Sequence, residues 1–245
     1  MSAIVTGAGS GIGRAVTIEL AKAGASVLAV DIDHDAAHET ARMATGHVIA
    51  HRADVSKPGE VAEYVSTAVR DVGVPEQFFN NAGIVGANRA IVDMSIDEWS
   101  STMSVNLDSM FYGLKYVLPH MIEAGRGQVV NTGSIASLQG AAKRADYVAT
   151  KHAILGLTRT AAAEVREHGV AVNCICPGST DTPIIGKFRE LLARDDQPIP
   201  MHGVGGRGMA SAEEMARAVT FLLRADVPFL TGAVLPVDGG ASGQY

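Results

Sequence analysis

The sequence has little of what marks secreted, membrane or nucleic-acid-binding proteins. It has two cysteines in 245 residues, Cys174 and Cys176, which lie two positions apart. Side chains two apart on a strand share a face and have poor disulfide geometry, so we expect buried thiols and a reducing, cytoplasmic setting. No run of about 18 apolar residues is present, which excludes a spanning helix. No basic segment precedes a long apolar run at the N-terminus, so we expect no signal peptide.

Positive charge is also scarce. The chain has 26 acidic and 20 basic residues, a net charge of −6, and no basic run. This excludes an obvious nucleic-acid partner, and the chain lacks the basic amphipathic face of a membrane-surface protein. A hydrophobic content of 47% with 19% charged residues is enough for one sizeable core and excludes a disordered chain.

Short apolar runs alternate with helical patterns along the whole chain. Runs such as Val27–Val30 are continuously apolar, which is typical of strands covered on both faces. Repeated β-α units with right-handed crossovers build a doubly wound sheet. We therefore predict one α/β domain over residues 1–245: a three-layer, Rossmann-like parallel sheet of about seven strands with helices on both faces.

The predicted strands are Ser2–Val5, Ser26–Val30, Val48–Ala53, Gln77–Asn80, Gly127–Thr132, Val170–Cys176 and Phe229–Val237. Helices are predicted near Ile12–Ala23, Asp35–Ala44, Gly59–Val72, Asp97–Ala124, Tyr147–Glu167 and Ala212–Arg224. Pro119 is expected to kink its helix or to end it early, because proline cannot complete the helical hydrogen-bond ladder.

Residues 182–208 depart from the alternation. This segment carries Pro183, Pro198 and Pro200 among apolar residues and glycines. A loop this long is uncommon in compact domains and is usually functional, so we predict a lid over a bound substrate. An extra helix packed on the core is the alternative.

A glycine-rich turn, Thr6–Gly13, joins the first strand to the first helix. Its key glycines, Gly7, Gly11 and Gly13, are spaced G-x-x-x-G-x-G rather than G-x-G-x-x-G. Without Cβ atoms the backbone can turn sharply and approach a pyrophosphate, and the start of a helix offers free N–H groups and a positive dipole end. The turn predicts a dinucleotide site, and a tight loop without a ligand is the alternative.

Polar residues follow the next three strands, at the edge where ligands lie in open α/β sheets. Asp31 ends the second strand, Asp54–Val55 the third and Asn80–Gly83 the fourth. An acid at the second strand accepts both hydroxyls of an adenosine ribose and repels a 2′-phosphate. Arg14 is a candidate phosphate contact, but no basic residue replaces Asp31. The sequence therefore favours NAD over NADP.

Tyr147 and Lys151 are four positions apart in a predicted helix, so they share a face. A free tyrosine is a poor base near neutrality, but an ammonium group and a cationic nicotinamide beside it favour the phenolate. Such a phenolate takes the proton of an alcohol while hydride leaves the carbon, and the reverse step protonates an alkoxide. Ser134 follows the fifth strand and is placed to hydrogen-bond the substrate oxygen. Asn106 is unusual inside a helix, although a plain buried hydrogen bond explains it equally well.

Together these motifs resemble the short-chain dehydrogenase/reductase family, in its compact, NAD-preferring branch. The resemblance rests on Thr6–Gly13, Asn80–Gly83, Asn106, Ser134, the Tyr147-x-x-x-Lys151 pair and Pro177–Gly178, and it extends to Leu230–Gly240. It implies an NAD(H)-dependent oxidoreductase that interconverts a small secondary alcohol and its ketone, and a homotetramer with two long helices at one interface.

The resemblance also implies a role for individual residues. Tyr147 is the acid/base, Lys151 binds the nicotinamide ribose and favours the phenolate, and Ser134 holds the substrate oxygen. Asn106 orders a water that links Lys151 to solvent. The implied cofactor-binding residues are Gly7, Ser10, Gly11, Ile12, Gly13, Asp31, Asp54, Val55, Asn81, Ala82, Gly83, Tyr147, Lys151, Pro177, Gly178, Thr180 and Thr182.

Two other functions stay open. An NADPH-type 3-ketoacyl-thioester reductase shares these motifs, and Asp31 counts against it. A catalytically silent NAD-binding sensor keeps a cofactor site without chemistry, and the intact Ser134, Tyr147 and Lys151 set counts against that.

The pocket segments are largely neutral, which favours a moderately apolar substrate such as a ring alcohol. The alternative is a substrate that carries a carboxylate, which an arginine of residues 182–208 would anchor: Arg189, Arg194 or Arg207. No metal is expected, because the histidine pairs lack the Glu or Cys of a zinc site; these pairs are His34 with His38 and His47 with His51.

Overall fold

Seven parallel strands form the sheet at the centre of the molecule, in the order β3-β2-β1-β4-β5-β6-β7. The computed structural model describes residues 1–194, 208–227 and 229–244. The strands are β1 (Ser2–Thr6), β2 (Ser26–Asp31), β3 (Val48–Arg52), β4 (Gln77–Asn80), β5 (Gly127–Thr132), β6 (Val170–Pro177) and β7 (Val234–Val237). The order reverses between β1 and β4, so the ends of these strands open a crevice for a ligand.

Helices cover both faces of the sheet, and the predicted three-layer, Rossmann-like fold is confirmed. They are α1 (Gly11–Lys22), α2 (His34–Met43), α3 (Pro58–Asp71), α4 (Ile96–Met103), α5 (Ser109–Ala124), α6 (Ala145–Val165), α7 (Pro183–Arg194) and α8 (Ala212–Arg224). Phe78 and Phe79 are neighbours on β4 and enter opposite cores. Phe78 packs with α3, α5 and α6, and Phe79 packs with α1 and α8.

The long helix predicted near Asp97–Ala124 forms with one irregularity. α4 and α5 are joined by a π-helical turn, Ser104–Asp108, in which the N–H of Ser109 donates to the carbonyl of Ser104. The expectation that the helix ends early at Pro119 is wrong, because α5 continues to Ala124. Pro119 and Lys115 are both exposed, so water can satisfy the Lys115 carbonyl that proline leaves unbonded.

The segment predicted as a lid begins with a helix. α7 covers Pro183–Arg194 and fits the alternative of an extra helix, while residues 195–207 lie outside the described residues. The two flanks of the segment are tied together: the N–H of Asp181 donates to the carbonyl of Ala210 at 2.8 Å, and the N–H of Ala210 donates to Ser179 at 3.0 Å. Coverage of a ligand by this segment stays a prediction.

Cys174 and Cys176 are buried on β6 and free, as predicted. Their mutual hydrogen bond, together with burial, raises the pKa of the Cys174 thiol. His34 and His38 lie on α2 with ring centroids 5.5 Å apart, and His51 lies on β3. Across 1–194, 208–227 and 229–244, we find neither a helix long and apolar enough to cross a membrane nor a group of three side chains suited to holding a metal ion.

Candidate active site

In the glycine-rich turn Thr6–Gly13, the backbone at Gly13 lies close to the backbone at Gly7, as the glycine content predicts. Gly7 and Gly11 have φ values of +66° and +50°, a region that favours glycine. A Cβ on Gly13 would overlap the carbonyl oxygen of Gly7. Ser10 is exposed at the N-cap of α1 and makes no capping bond, so its hydroxyl is accessible to a phosphate. Ile12 packs on the apolar core and holds the start of α1 against the sheet.

Asp31 is bound to the glycine turn. Its Oδ2 accepts from the N–H of Gly9 at 2.8 Å, and its Oδ1 accepts from the N–H of Asp33 at 3.0 Å. The guanidinium of Arg14 pairs with Glu39 at 2.7 Å and also donates to the carbonyl of Gly9. Arg14, the candidate phosphate contact, is therefore already paired with Glu39, and the Asp31 carboxylate lies beside the glycine turn.

Asn81 joins the ends of β1, β4 and β5. Its backbone N–H donates to Thr6 Oγ1 at 2.8 Å, as does that of Ala82 at 3.1 Å. The Asn81 side chain donates to the carbonyl of Thr6 at 2.9 Å and accepts from Thr132 at 3.1 Å. A Cβ on Gly7 would lie 2.9 Å from Asn81 Nδ2, so this segment directly borders the glycine turn.

Asp54 and Val55 follow β3, next to β2. The Asp54 carboxylate accepts from the N–H of Ser56 at 2.9 Å and from its hydroxyl at 2.7 Å. Burial raises the pKa of Asp54, but these hydrogen bonds and the nearby charges of Lys57 and Arg52 outweigh it and lower the pKa overall. Val55 is buried in the core. The contact of this pair with adenine stays a prediction.

Lys151 reaches from α6 to the end of β5. Its Nζ donates to the carbonyl of Thr132 at 2.8 Å and lies 5.6 Å from the centroid of the Tyr147 ring. The lysine is buried, whereas Tyr147 is only partly buried. The two side chains share a face, as their spacing predicts.

Ser134 lies two residues beyond β5 and caps a short 3-10 turn, Ile135–Ser137. Its Oγ accepts from the N–H of Ala136 at 3.1 Å, and its own N–H donates to Ser137 Oγ at 3.1 Å. The capping bond uses a lone pair of the hydroxyl and leaves its hydrogen free to donate to a substrate oxygen. α6 packs against this turn, so Ser134 and Tyr147 belong to the same part of the site.

Asn106 is fully buried in the π-helical turn. Its Nδ2 donates to the carbonyl of Ile84 at 2.9 Å, and its Oδ1 accepts from the N–H of Ile84 at 2.7 Å. A Cβ on Gly83 would lie 3.1 Å from the same Oδ1. Asn106 therefore fixes the loop after β4, which accounts for an asparagine inside a helix. Its role in ordering a water for Lys151 stays a prediction.

The end of β6 and the segment that follows it contain Pro177, Gly178, Thr180 and Thr182, of which Thr182 borders the glycine turn. Thr180 Oγ1 donates to the carbonyl of Gly178 at 3.1 Å, and Thr182 Oγ1 donates to that of Thr180 at 3.2 Å. A Cβ on Gly11 would lie 3.0 Å from Thr182 Cγ2. The predicted phosphate turn and the predicted nicotinamide segment are thus in contact.

Two charged residues near Tyr147 were missed by the sequence reasoning. The fully buried carboxylate of Asp146 accepts from the N–H of Ala87 at 2.8 Å, from Thr102 Oγ1 at 2.8 Å and from the N–H of Tyr147 at 2.7 Å. The buried guanidinium of Arg144 lies 4.7 Å from the centroid of the Tyr147 ring. The only available signal was the presence of charged residues directly before the tyrosine.

These residues fit a nicotinamide dinucleotide. The backbone approach at Gly13 leaves no room for a Cβ, as a pyrophosphate turn requires, and the N-terminus of α1 offers an accessible Ser10 hydroxyl. Asp31, Asn81, Lys151 and the segment after β6 surround the same end of the sheet.

Comparison with known proteins gives matches over almost the whole chain. Residues 7–242 match the family model described as enoyl-(acyl carrier protein) reductase. A cyclohexanol dehydrogenase of Acinetobacter sp. (strain SE19) is 38% identical over 240 residues, which cover 97% of this chain and 93% of that protein. A levodione reductase of Leifsonia aquatica is 34% identical over 251 residues, covering 99% and 94%. A crystal structure of levodione reductase matches with a TM-score of 0.94 at 33% identity and covers 100% of this chain and 98% of that one.

The fold and the site define an oxidoreductase of the kind that uses a nicotinamide cofactor, NAD or NADP. The chain belongs to the short-chain dehydrogenase/reductase family.

Proposed function

We propose that the protein is an NAD(H)-dependent dehydrogenase that interconverts a neutral cyclic secondary alcohol and its ketone. The observation that carries this proposal is the buried Lys151 ammonium, fixed by the Thr132 carbonyl at 2.8 Å and lying 5.6 Å from the centroid of the Tyr147 ring. The relatives that act on cyclohexanol and levodione support a ring substrate.

The chain's own residues account for the proton. A Tyr147 phenolate accepts the hydroxyl proton of the alcohol, and a neutral Tyr147 returns it to the oxygen in the reverse direction. Ser134, held by its capping bond, donates a hydrogen bond to the same substrate oxygen and stabilises the charge that develops on it. When bound, the nicotinamide cofactor supplies or accepts the hydride.

Asp31 supports NAD as the cofactor. Its carboxylate accepts from the N–H of Gly9, and the nearby cation Arg14 is paired with Glu39. The 2′-phosphate of NADP beside Asp31 would be repelled by the carboxylate, and Arg14, already paired with Glu39, would not be free to bind it. The NADPH-type 3-ketoacyl-thioester reductase is the less supported alternative for this reason.

We also propose a homotetramer. α4 and α5 expose large apolar side chains that a further copy of the chain would cover, namely Ile96, Trp99 and Phe111. Sedimentation velocity of the purified protein tests this, and a monomer at micromolar concentration would contradict it.

The function is tested by the absorbance at 340 nm. We expect the purified protein to oxidise cyclohexanol with NAD⁺ and to reduce cyclohexanone with NADH, and to use NADP(H) far less well. Reduction of acetoacetyl-thioesters with a strong preference for NADPH would support the alternative reductase. NADH binding without turnover across a broad panel of alcohols and ketones would support a sensor.

A further inference from the structure

A second buried cation lies against the ring of Tyr147. The Cζ of Arg144 is 4.7 Å from the ring centroid, whereas the Nζ of Lys151 is 5.6 Å from it. Arg144 is only 8% exposed. The same guanidinium lies 4.4 Å from the centroid of the Phe188 ring on α7. Arg144 therefore contacts both the proposed acid/base and the first helix of the predicted lid.

A strained backbone holds Arg144 in this place. Lys143 has a φ of +60°, and among the described residues it is the only non-glycine residue with a positive φ. The N–H of Arg89 donates to the carbonyl of Lys143 at 3.0 Å, and Arg89 and Arg144 form a parallel bridge. Strain of this kind persists where surrounding contacts fix it and is concentrated at functional sites.

Hydrogen bonding accounts for only one of the two terminal nitrogens of Arg144. Nη2 donates to the carbonyl of Val85 at 2.6 Å, but Nη1 is buried without a hydrogen-bond partner among the described residues. Burial lowers the pKa of Arg144, and the neighbouring Tyr147 and Asp146 act in the opposite direction. An apolar side chain would fill the space between two rings without an unpaired donor. Besides the bond to the Val85 carbonyl, what Arg144 adds over an apolar side chain is its positive charge.

A cation near an aromatic ring interacts differently with the two forms of tyrosine. Loss of the phenolic proton adds negative charge that spreads into the ring, and this strengthens the attraction of a neighbouring guanidinium. The attraction is larger where water is excluded, and the Phe188 ring helps to exclude it. Such a cation stabilises the deprotonated form more than the protonated one.

We propose that Arg144 is a positioning residue that stabilises the phenolate form of Tyr147 together with Lys151, and that Phe188 of α7 holds it against the ring. This inference deepens the proposed function and rests on Tyr147 being its acid/base. It makes the seating of α7 a determinant of the charge state of the tyrosine.

Other charged groups surround the pair. Lys151 on α6 is the second cation, and the Asp146 carboxylate accepts from the backbone N–H of Tyr147 and opposes the phenolate. The hydrogen bond with Cys174 is the main cause that lowers the pKa of Cys176 on β6, and the charge of Lys151 adds a smaller effect in the same direction. Arg144 also contacts the Phe188 ring of α7 and the Val85 carbonyl of the loop after β4. Neither of these groups titrates.

The test is a spectrophotometric titration that needs no turnover. Phenolate absorbance near 295 nm is followed against pH for each protein and its Tyr147→Phe counterpart, and the difference isolates Tyr147. We expect the midpoint in Arg144→Met to rise by about one pH unit relative to wild type. Phe188→Leu should raise the titration midpoint by a smaller amount. The midpoint of Arg144→Lys should lie closer to that of wild type than the midpoint of Arg144→Met does. Arg89→Met is the matched control, because Arg89 is exposed and pairs with Glu98 at 3.6 Å.

Coincident midpoints for wild type and Arg144→Met would overturn the inference, as would an equal shift in Arg89→Met. If circular dichroism shows that Arg144→Met does not fold, the same comparison is made with Phe188→Leu, for which an unchanged midpoint is the overturning result. Absence of cyclohexanol turnover would count against the proposed function alone, since the titration reads the tyrosine directly.

Discussion

The carboxylate of Asp31 accepts a hydrogen bond from the backbone N–H of Gly9 at 2.8 Å. This contact ties the end of β2 to the turn between β1 and α1. One side chain thus helps to shape the proposed pyrophosphate turn and also sets the charge beside the proposed ribose position.

Substitution of Asp31 should change the choice of cofactor. We expect Asp31→Ser to lower kcat/KM with NAD⁺ about 10- to 100-fold, because charge-assisted hydrogen bonds to the ribose are lost. Activity with NADP⁺ should rise, because the repulsion of its phosphate is removed. Steady-state kinetics with both cofactors measure this, with Asp35→Asn on exposed α2 as the control. An unchanged ratio between the cofactors would contradict the role of Asp31.

Removal of one hydroxyl should abolish most of the turnover. We expect Tyr147→Phe to lower kcat by about 10²- to 10⁴-fold, because the proton has no acceptor, while NADH binding by fluorescence stays close to wild type. Tyr116→Phe is a matched control, since that tyrosine also has a lysine nearby, with Lys115 Nζ 6.0 Å from its ring centroid. Near wild-type turnover in Tyr147→Phe would refute the acid/base role.

One methyl group at the glycine turn should impair cofactor binding. A Cβ at Gly13 would overlap the carbonyl of Gly7, so we expect Gly13→Ala to distort the turn and to raise the Kd for NADH at least about 10-fold. Gly59→Ala on α3 is the control, because nothing lies within 4 Å of its added Cβ. Equal NADH affinity in the two variants, measured by fluorescence titration, would show that the turn does not contact the cofactor.

The buried Asp146 should contribute to stability. The Asp146 carboxylate accepts three hydrogen bonds, whereas the side-chain NH₂ of an asparagine can only donate. We therefore expect Asp146→Asn to lower the free energy of unfolding by about 2–4 kcal/mol. Urea denaturation measures the change, with the exposed Asp97→Asn on α4 as the control. Matching stabilities for the two variants would mean that the three hydrogen bonds are dispensable.

The contribution of Asp238 should depend on pH. Burial raises its pKa, but hydrogen bonds from Ser242 and Gly240 outweigh it and lower the pKa overall. A carboxyl whose pKa is lower in the folded state stabilises the fold above its unfolded value and loses that effect as pH falls through the folded value. Asp238→Asn should therefore be less stable than wild type at pH 7, and the difference should shrink at about pH 3. A difference that is constant across urea titrations at these pH values would contradict this.

The parts of the site that follow from local sequence were predictable. Continuous apolar runs such as Val27–Val30 indicate strands buried on both faces, and the parallel order places their carboxyl ends together. The Tyr147–Lys151 spacing requires only helical geometry, and Gly7 and Gly11 adopt the backbone conformation that their residue type favours. Each of these features depends on a few neighbouring residues.

The contacts that were missed depend on distant parts of the chain. Arg144 meets Phe188 on α7, in a segment for which the sequence favoured a lid over the alternative of an extra helix, because a loop of this length is usually functional. The placement of Arg144 also depends on a positive φ at Lys143, a residue type that gives no signal for it. The expectation that the helix ends at Pro119 was wrong because helix-breaking rules do not include the exposure of the carbonyl left unbonded.

The wide turn at Ser104–Asp108 holds one more residue than a regular turn of α-helix would. Deleting a single residue there would let α4 and α5 merge into an uninterrupted helix without changing the phase of either half. The helix itself would survive the deletion. Asn106, however, would rotate away from Ile84, and the loop after β4, beside the proposed reaction centre, would lose the two hydrogen bonds that hold it.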